Sequence, residues 1–538
     1  MIGADAIVKC LEKEGVTTLF GYPGVAICPF FNSILKTKIE SILVRSEQNA
    51  AHAASGYARV TGKTGVCVAT SGPGATNLIT GIATAYADSI PLVCITGQVD
   101  SNLLGSDVFQ EADITGACES FVKYSYLIKD AADIPRIIKE AFHIASTGRK
   151  GPVLIDIPID IQNAAVSGLK YPDSVNMRTY KPTVKGHAVQ LKKVGKELSR
   201  AKRPLICAGG GVILSGASKE VMDYAHRYGI PVVSTMMGIS AASSDDSLYF
   251  GMIGNNGKAY ANRAMQESDL LIVVGARIAD RAVSSPDLVA KDTVLIHIDV
   301  DPAEIGKNVG PTIPIVGDIK SIFTELAKEE NLSCSFGAWI KTLEGYKKAE
   351  KPRKAPRKSY VDPAAFIRTL SEKLKDNAVY VADVGQNQMW SCGYYVAKKG
   401  RFLTSGGMGT MGYSIPAAIG AKKADKKRQV VAVCGDGSFQ MSMNELATMV
   451  QYDIPIKIIV FNNGYLGLVR EYQHNNYKSY SMVTLGEAPD LEMIAKAYGI
   501  GFMRIKNNTG IAQKIDEFLK APGAGLMECM LDPLDTVK

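Results

Sequence analysis

The sequence predicts an α/β protein of three doubly wound domains in a row, each built on a mainly parallel sheet covered by helices. Three observations carry this. A chain of 538 residues is far too long for one hydrophobic core. Short β-branched runs alternate with helix-like stretches along three separate blocks, which is the pattern of βαβ units. In the first and third blocks the glycines and polar residues gather just past the strand runs, where open α/β sheets bind ligands.

The first block, 1–165, opens on "MIGADAIVKCLEKEGV". This is an amphipathic helix pattern with acidic residues and lacks the basic and apolar regions of a leader, so the expected compartment is the cytoplasm. Strands are expected at 41–44, 64–70, 91–97 and 152–158. A polar stretch carrying proline, 166–186, separates it from the second block, 187–345, with strands expected at 203–211, 231–236, 270–276 and 294–301. The third block, 362–538, has strands expected at 378–385, 428–437 and 455–463.

Composition narrows the function. Hydrophobic residues make up 46% and charged residues 21%, an ordinary globular balance, and no apolar run reaches the roughly 18 residues that span a bilayer. No membrane role is expected. The net charge of +8 is concentrated in "KKAEKPRKAPRK" at 347–358, with seven basic residues. Its prolines and lack of apolar periodicity read as an exposed linker, so no nucleic acid is expected. The ten cysteines include no C-x-x-C pair and sit mostly in apolar runs, as reduced core thiols do.

The chemistry concentrates in "CGDGSFQMSMNELATMVQYDIPIKIIVFNN", 434–463. Two strand runs flank an expected amphipathic helix, "MSMNELATMVQY", and a right-handed crossover makes those strands parallel. Asp436 and Asn463 then emerge at one carboxyl edge. Two side-chain oxygens and a nearby backbone carbonyl suit Mg²⁺, which keeps waters and phosphate oxygens as its other ligands. The glycines beside Asp436 let backbone N–H groups approach a phosphate at a helix start. Taken singly, Asp-Gly and Asn-Gly are ordinary turn dipeptides; their joint placement points to a diphosphate held by a metal.

This stretch resembles the fingerprint of thiamine diphosphate enzymes, and its context is similar to the acetolactate synthase (acetohydroxyacid synthase) catalytic subunits. The resemblance implies Mg²⁺ on Asp436, Asn463 and the carbonyl of Tyr465, with Gly437, Ser438, Leu466, Gly467, Gln386 and Asn387 around the cofactor. In "SGGMGTMGYSIPAAIGA" it implies Gly409, Thr410 and Met411 beside the pyrimidine, with Met411 as the wedge that bends the cofactor.

In the first block, Glu47 of "ESILVRSEQNAAHAASGYAR" reads from the residues alone as an acid stabilising a helix N-terminus. The resemblance makes it the acid that protonates the pyrimidine bound by another subunit, so at least a homodimer, and as far as a homotetramer, is implied. Pro73 and Asn77 of "ATSGPGATNL" join the cofactor site by the same likeness, while Phe109 and Gln110 of "DVFQEADITG" would face the reacting carbons. Lys181 would neutralise a substrate carboxylate.

The middle block resembles the family's FAD segment. Gly209, Gly210, Gly211, Gly275, Arg277, Asp299 and Asp318 would line it with Arg149 from the first block, and the flavin would be structural. The sequence departs from the family pattern at Ser46, Asn387, Asn255, Asn256, Ala279 and Tyr472, the last standing where a tryptophan selects the second substrate. The implied activity is decarboxylation of pyruvate and carboligation to a second 2-ketoacid, forming 2-acetolactate. A 2-ketoacid decarboxylase, or a carboligase with another acceptor, is the alternative. A small regulatory subunit is a further implied partner.

Overall fold

The computed structural model describes residues 1–283, 289, 292–310, 312–328, 332, 334–487 and 489–537. It contains three six-stranded sheets in which every strand pair is parallel. The first holds β1 (Thr18–Gly21), β2 (Glu40–Leu43), β3 (Gly65–Ala69), β4 (Leu92–Gln98), β5 (Tyr124–Leu127) and β6 (Pro152–Pro158), ordered β2-β1-β3-β4-β6-β5. The second holds β7 (Pro204–Ala208), β8 (Val232–Ser234), β9 (Tyr249–Met252), β10 (Leu270–Val274), β11 (Val294–Asp299) and β12 (Ile313–Val316), ordered β12-β11-β10-β7-β8-β9. The third holds β13 (Val379–Ala382), β14 (Arg401–Leu403), β15 (Val430–Gly435), β16 (Lys457–Asn462), β17 (Gly501–Ile505) and β18 (Gly525–Met530), ordered β14-β13-β15-β16-β18-β17. First and third sheets thus share one topology.

Each sheet has a central reversal of winding direction, between β1 and β3, between β7 and β10, and between β13 and β15; the first and third also step back at their far edges, where β6 and β18 lie inside β5 and β17. At such a reversal the crossover helices leave to opposite faces and open a crevice at the carboxyl edge.

The expected strands all form; those with Val- and Ile-rich runs are buried on both faces, whereas β2 is half-buried. Strands with a weaker apolar signal, the partly exposed β5 and β17 and the three-residue β14, also pair into the sheets, and Phe402, Leu403 and Ile505 bury their side chains in the core. Among the described residues no helix is long and apolar enough to cross a membrane, and all ten cysteines are free thiols.

Two expectations are corrected. The crossover between β15 and β16 is not one helix: it runs as Asp436–Ser442, a 3-10 turn Met443–Glu445, and Leu446–Gln451. Ser442, at φ −138° and ψ 14°, leaves the α conformation. This break turns Glu445 toward the first block, where its Oε1 accepts the N–H of Arg45 at 2.7 Å and Nδ2–H of Asn49 at 2.9 Å. The basic stretch 347–358 is not a free linker either. Arg353 is almost fully covered and pairs with Asp535 and Asp362, and Arg357 grips both oxygens of Asp532. Carboxylates near the chain's end draw these cations onto the third sheet.

One core joins the first and third sheets, with Ala50, Ala53 and Ala54 packed among Ala417, Ala418 and Ile419. Its centre is the crossing of helices Glu47–Thr61 and Ser414–Ala424. Gly56 and Gly420 let the two backbones touch: a Cβ at Gly56 would lie 1.9 Å from the Ala417 carbonyl oxygen, and one at Gly420 1.8 Å from that of Ala53.

Candidate active site

Asp436 follows β15 directly, on one wall of the crevice between β13 and β15. Gly435 of β15 is in register with Phe461 of β16, so Asn463, just past the end of β16, lies at the same edge. Asp436 Oδ2 accepts the Gly464 N–H at 2.9 Å. Burial is the largest influence on this carboxyl and pushes it up to about 7, against the backbone N–H groups that favour its charge. Asn463 Oδ1 accepts the Tyr465 N–H at 3.0 Å, and its Nδ2–H donates to Gln386 Oε1 at 3.0 Å.

A cavity of about 60 Å³ opens here, with Gln386, Met411, Asp436, Gly437, Asn463 and Tyr465 among its walls. Asn387, Ser438, Leu466 and Gly467 also reach it. Gly467 leaves room for the amides at its wall: a Cβ there would lie 2.0 Å from Gln386 Oε1 and 2.7 Å from Asn463 Nδ2, so those side chains would have to shift. The donor set suits a hard cation. Asp436 is buried with no basic side chain paired to it among the described residues, and no cluster of three His, Cys, Asp or Glu with metal-holding geometry occurs among them. One carboxylate with amide and backbone oxygens is the sparse protein set that Mg²⁺ takes, and a cation there offsets the cost of the buried charge.

The loop bearing Gly409, Thr410 and Met411 is fixed by a residue that sequence reasoning missed. Asp383, completely buried just past β13, accepts N–H groups from Val384 at 2.8 Å, Gly412 at 3.0 Å and Ser414 at 2.7 Å. Thr410 also reaches the first block, with its Oγ1 2.6 Å from Thr84 Oγ1, and Gly409 takes φ +70°. Asn387 lines the cavity but commits its Nδ2 to the scaffold, donating to the carbonyls of Asp383 at 3.0 Å and Val433 at 2.7 Å.

Glu47 opens the helix Glu47–Thr61, and Asn77 Nδ2–H donates to its Oε2 at 3.0 Å. Asn77 ends the short helix that Pro73 begins. Glu47 is not a wall of the Asp436 cavity, whose lining comes from 384–531 alone. Phe109 is 86% exposed. Gln110 takes φ +60° and packs against Gly72, where a Cβ would lie 2.9 Å from it. Lys181 is exposed in the segment joining the first two sheets and lines neither this cavity nor the larger one described next.

The second sheet's crevice, between β7 and β10, holds a cavity of about 260 Å³ whose walls include Gly210, Gly211, Gly275, Arg277, Asp299 and Asp318. The glycines bring two strand ends into backbone contact: a Cβ at Gly209 would lie 2.1 Å from the Gly275 carbonyl oxygen, and one at Gly211 2.7 Å from Gly275 Cα. Burial pushes Asp299 up to about 6, and Asp318 caps the helix Ile319–Leu326 through the Ser321 N–H at 2.9 Å. Arg149 crosses from the first block to Glu304 at 2.8 Å and Asp301 at 3.2 Å. Asp88, unnoticed in the sequence, accepts the Gly407 and Gly406 N–H groups at 2.7 and 3.3 Å and holds that wall in place. Glycine turns, two arginines and an acid at strand ends suit a dinucleotide. Of the departures from the family pattern, Ala279 is in the wall, whereas Asn255 and Asn256 are not.

Comparison with known proteins agrees with this geometry. The family described as "Thiamine pyrophosphate enzyme, N-terminal TPP binding domain" matches residues 1–117, its central domain 191–326, and its C-terminal TPP binding domain 383–529. A probable acetolactate synthase large subunit of Methanocaldococcus jannaschii is 43% identical across 100% of this chain and 93% of its own. The acetolactate synthase large subunit of Lactococcus lactis is 42% identical over 95% of this chain and 90% of its own. That of Haemophilus influenzae is 43% identical over 96% and 91%. Likeness of this degree along both chains extends through all three sheets and both crevices, and it places the chain in the acetolactate synthase large-subunit family of thiamine pyrophosphate enzymes.

Proposed function

We propose that this chain decarboxylates pyruvate and joins the remaining two-carbon unit to a second 2-ketoacid, forming 2-acetolactate when the acceptor is pyruvate. The observation that carries this is the identity of 42–43% to acetolactate synthase large subunits over nearly their full length. Thiamine diphosphate, when bound, supplies the electron sink for the charge left by departing CO₂. The chain's residues supply the rest. Asp436, Asn463 and the Tyr465 carbonyl would hold Mg²⁺, and Gly437 and Ser438 would lie against the diphosphate. Met411, on the loop pinned by Asp383, would set the cofactor's bend.

Glu47 would hold and return a proton at the pyrimidine ring, an acid-base task. It is held by Asn77 and stands away from its own chain's Asp436 cavity, which supports a second copy supplying the relay and hence an assembly of at least two chains. Phe109 and Gln110, on an exposed loop, would complete the substrate side, and Lys181 would reach a substrate carboxylate only in that assembly. The larger cavity would hold FAD as a structural group on Arg149, Arg277, Asp299, Asp318 and the glycine turns. The relatives' title of large subunit supports a small regulatory partner, and the cytoplasm is the proposed compartment.

The test is product analysis on purified protein supplied with thiamine diphosphate, Mg²⁺ and pyruvate, alone and with 2-ketobutyrate. Acetolactate with CO₂ is expected; no CO₂ defeats the assignment, and acetaldehyde without acetolactate favours a decarboxylase. Tyr472, 61% exposed on the helix Gly467–Tyr477, makes the acceptor preference the informative part of that profile.

A further inference from the structure

The loop 104–112 lies past β4 in the first block and carries Phe109 and Gln110. It is largely self-contained: Glu111 turns back to accept the Gly105 N–H and, at 3.2 Å, the Val108 N–H. Among the described residues, the one side chain from outside that hydrogen-bonds its backbone is Gln98, whose Nε2–H donates to the Ala112 carbonyl at 2.8 Å.

Gln98 ends β4 and is 3% exposed. Its amide has no freedom to flip. One Nε2 hydrogen goes to Ala112 and the other to Asp156 Oδ2 at 2.9 Å, while its Oε1 accepts the Val99 N–H at 2.9 Å. Reversing the amide would set its oxygen against the Ala112 carbonyl and its NH₂ against the Val99 N–H donor. Asp156, on the neighbouring β6, is itself held by Thr96, whose Oγ1–H donates to Oδ1 at 2.6 Å and which faces it in register. An acid 1% exposed with no cation beside it among the described residues is costly, yet the proposed reaction gives it no task.

We propose that Gln98, oriented by Asp156 and Thr96, is a positioning residue that fixes the loop 104–112 and with it the placement of Gln110 on the acceptor side of the reaction. This rests on the reading that Gln110 faces the substrates. Gln110 itself sits at φ +60° against Gly72, a conformation that non-glycine residues hold only when the surroundings impose it. The Ala112 tether two residues on, with the Gly72 contact, imposes it. Released from Gln98, the loop relaxes and the substrate carbonyl meets Gln110 less often in the productive geometry.

The test compares Gln98→Ala, Gln98→Met, Asp156→Ala, Asp156→Asn and Gln110→Ala in the cofactor-loaded full-length protein, reading kcat and KM for pyruvate, the acetolactate-to-acetaldehyde ratio, and thiamine diphosphate affinity. Both Gln98 variants and Asp156→Ala are expected to lower acetolactate formation roughly tenfold, raise KM and shift product toward acetaldehyde, with cofactor affinity within about twofold of wild type. Asp156→Asn is expected to restore wild-type values, because its carbonyl still accepts from Gln98 and its NH₂ faces Thr96 Oγ1. Wild-type kinetics in the Gln98 variants beside an impaired Gln110→Ala overturns the positioning role alone. An unimpaired Gln110→Ala overturns the reading beneath it and the proposal with it. Equal losses of cofactor affinity and turnover in the Gln98 variants mark a merely structural residue and also overturn it.

Discussion

Replacing Gly56 or Gly420 by alanine tests the crossing that joins the first and third sheets. Both glycines lie inside helices, Glu47–Thr61 and Ser414–Ala424, where helix propensity alone favours alanine by about 1 kcal/mol. The packing reverses the sign. Each new Cβ would stop 1.8–1.9 Å from a backbone carbonyl oxygen, where ordinary contact begins at 3.4 Å. A backbone oxygen has no rotamer to yield, so the helices must part by about 1.5 Å in a close-packed core. Overpacking of this kind costs about 1–3 kcal/mol, and separating two alanine-rich helices raises it toward the upper end. We expect each variant to lose roughly 2 kcal/mol net, and the pair to lose less than the sum, because one separation accommodates both methyl groups. Gly345→Ala is the control: it lies in the helix Gly337–Lys348 and its Cβ would meet nothing within 4 Å, so stability should rise by up to about 1 kcal/mol. Denaturant and thermal unfolding followed by circular dichroism read all three. A midpoint for Gly56→Ala at or above wild type would refute the tight crossing.

Three further outcomes are expected. Glu47→Gln should cut turnover by roughly 100-fold or more while thiamine diphosphate binding, measured by equilibrium dialysis, stays near wild type; undiminished turnover removes Glu47 from the relay. Asp436→Ala should abolish the Mg²⁺ dependence of cofactor retention, and a titration that keeps the same dependence shows the metal to lie elsewhere. For Asp156, burial raises the folded value to about 7 from 3.8, so its neutral form stabilises the fold at low pH and that contribution fades as pH climbs through 7. Relative to Asp156→Asn, the wild type should therefore lose stability between pH 4 and 7, by at most about 4 kcal/mol. Parallel pH curves from paired unfolding experiments would show the carboxyl to be ordinary.

Much of the third crevice was legible because its signal is local. Asp436 and Asn463 each end a hydrophobic run, and the parallel pairing of β15 with β16 follows from the crossover between them. The residues that sequence reading passed over act across long separations. Asp383 reads as one polar position at the end of a strand, and only the return of the chain at Gly412 and Ser414 makes it an anchor. Asp88 and Glu445 serve backbone groups more than 300 positions away, where no spacing rule reaches. The misread linker shows the same limit: composition called 347–358 solvated, whereas Arg353 and Arg357 meet Asp535 and Asp532 near the chain's end.

The three parallel sheets, the ligand-binding edge expected of the first and third, and the acid and amide that end neighbouring strands were legible in the sequence, because hydrophobic period and turn chemistry are properties of adjacent residues. Tertiary structure alone decided which helices touch at Gly56 and Gly420, which buried carboxylates hold the site's loops, and that Glu47 stands apart from its own chain's Asp436 cavity. Those outcomes depend on how the first and third sheets pack, and packing is settled by contacts between segments some 400 residues apart, whose closure no local pattern records.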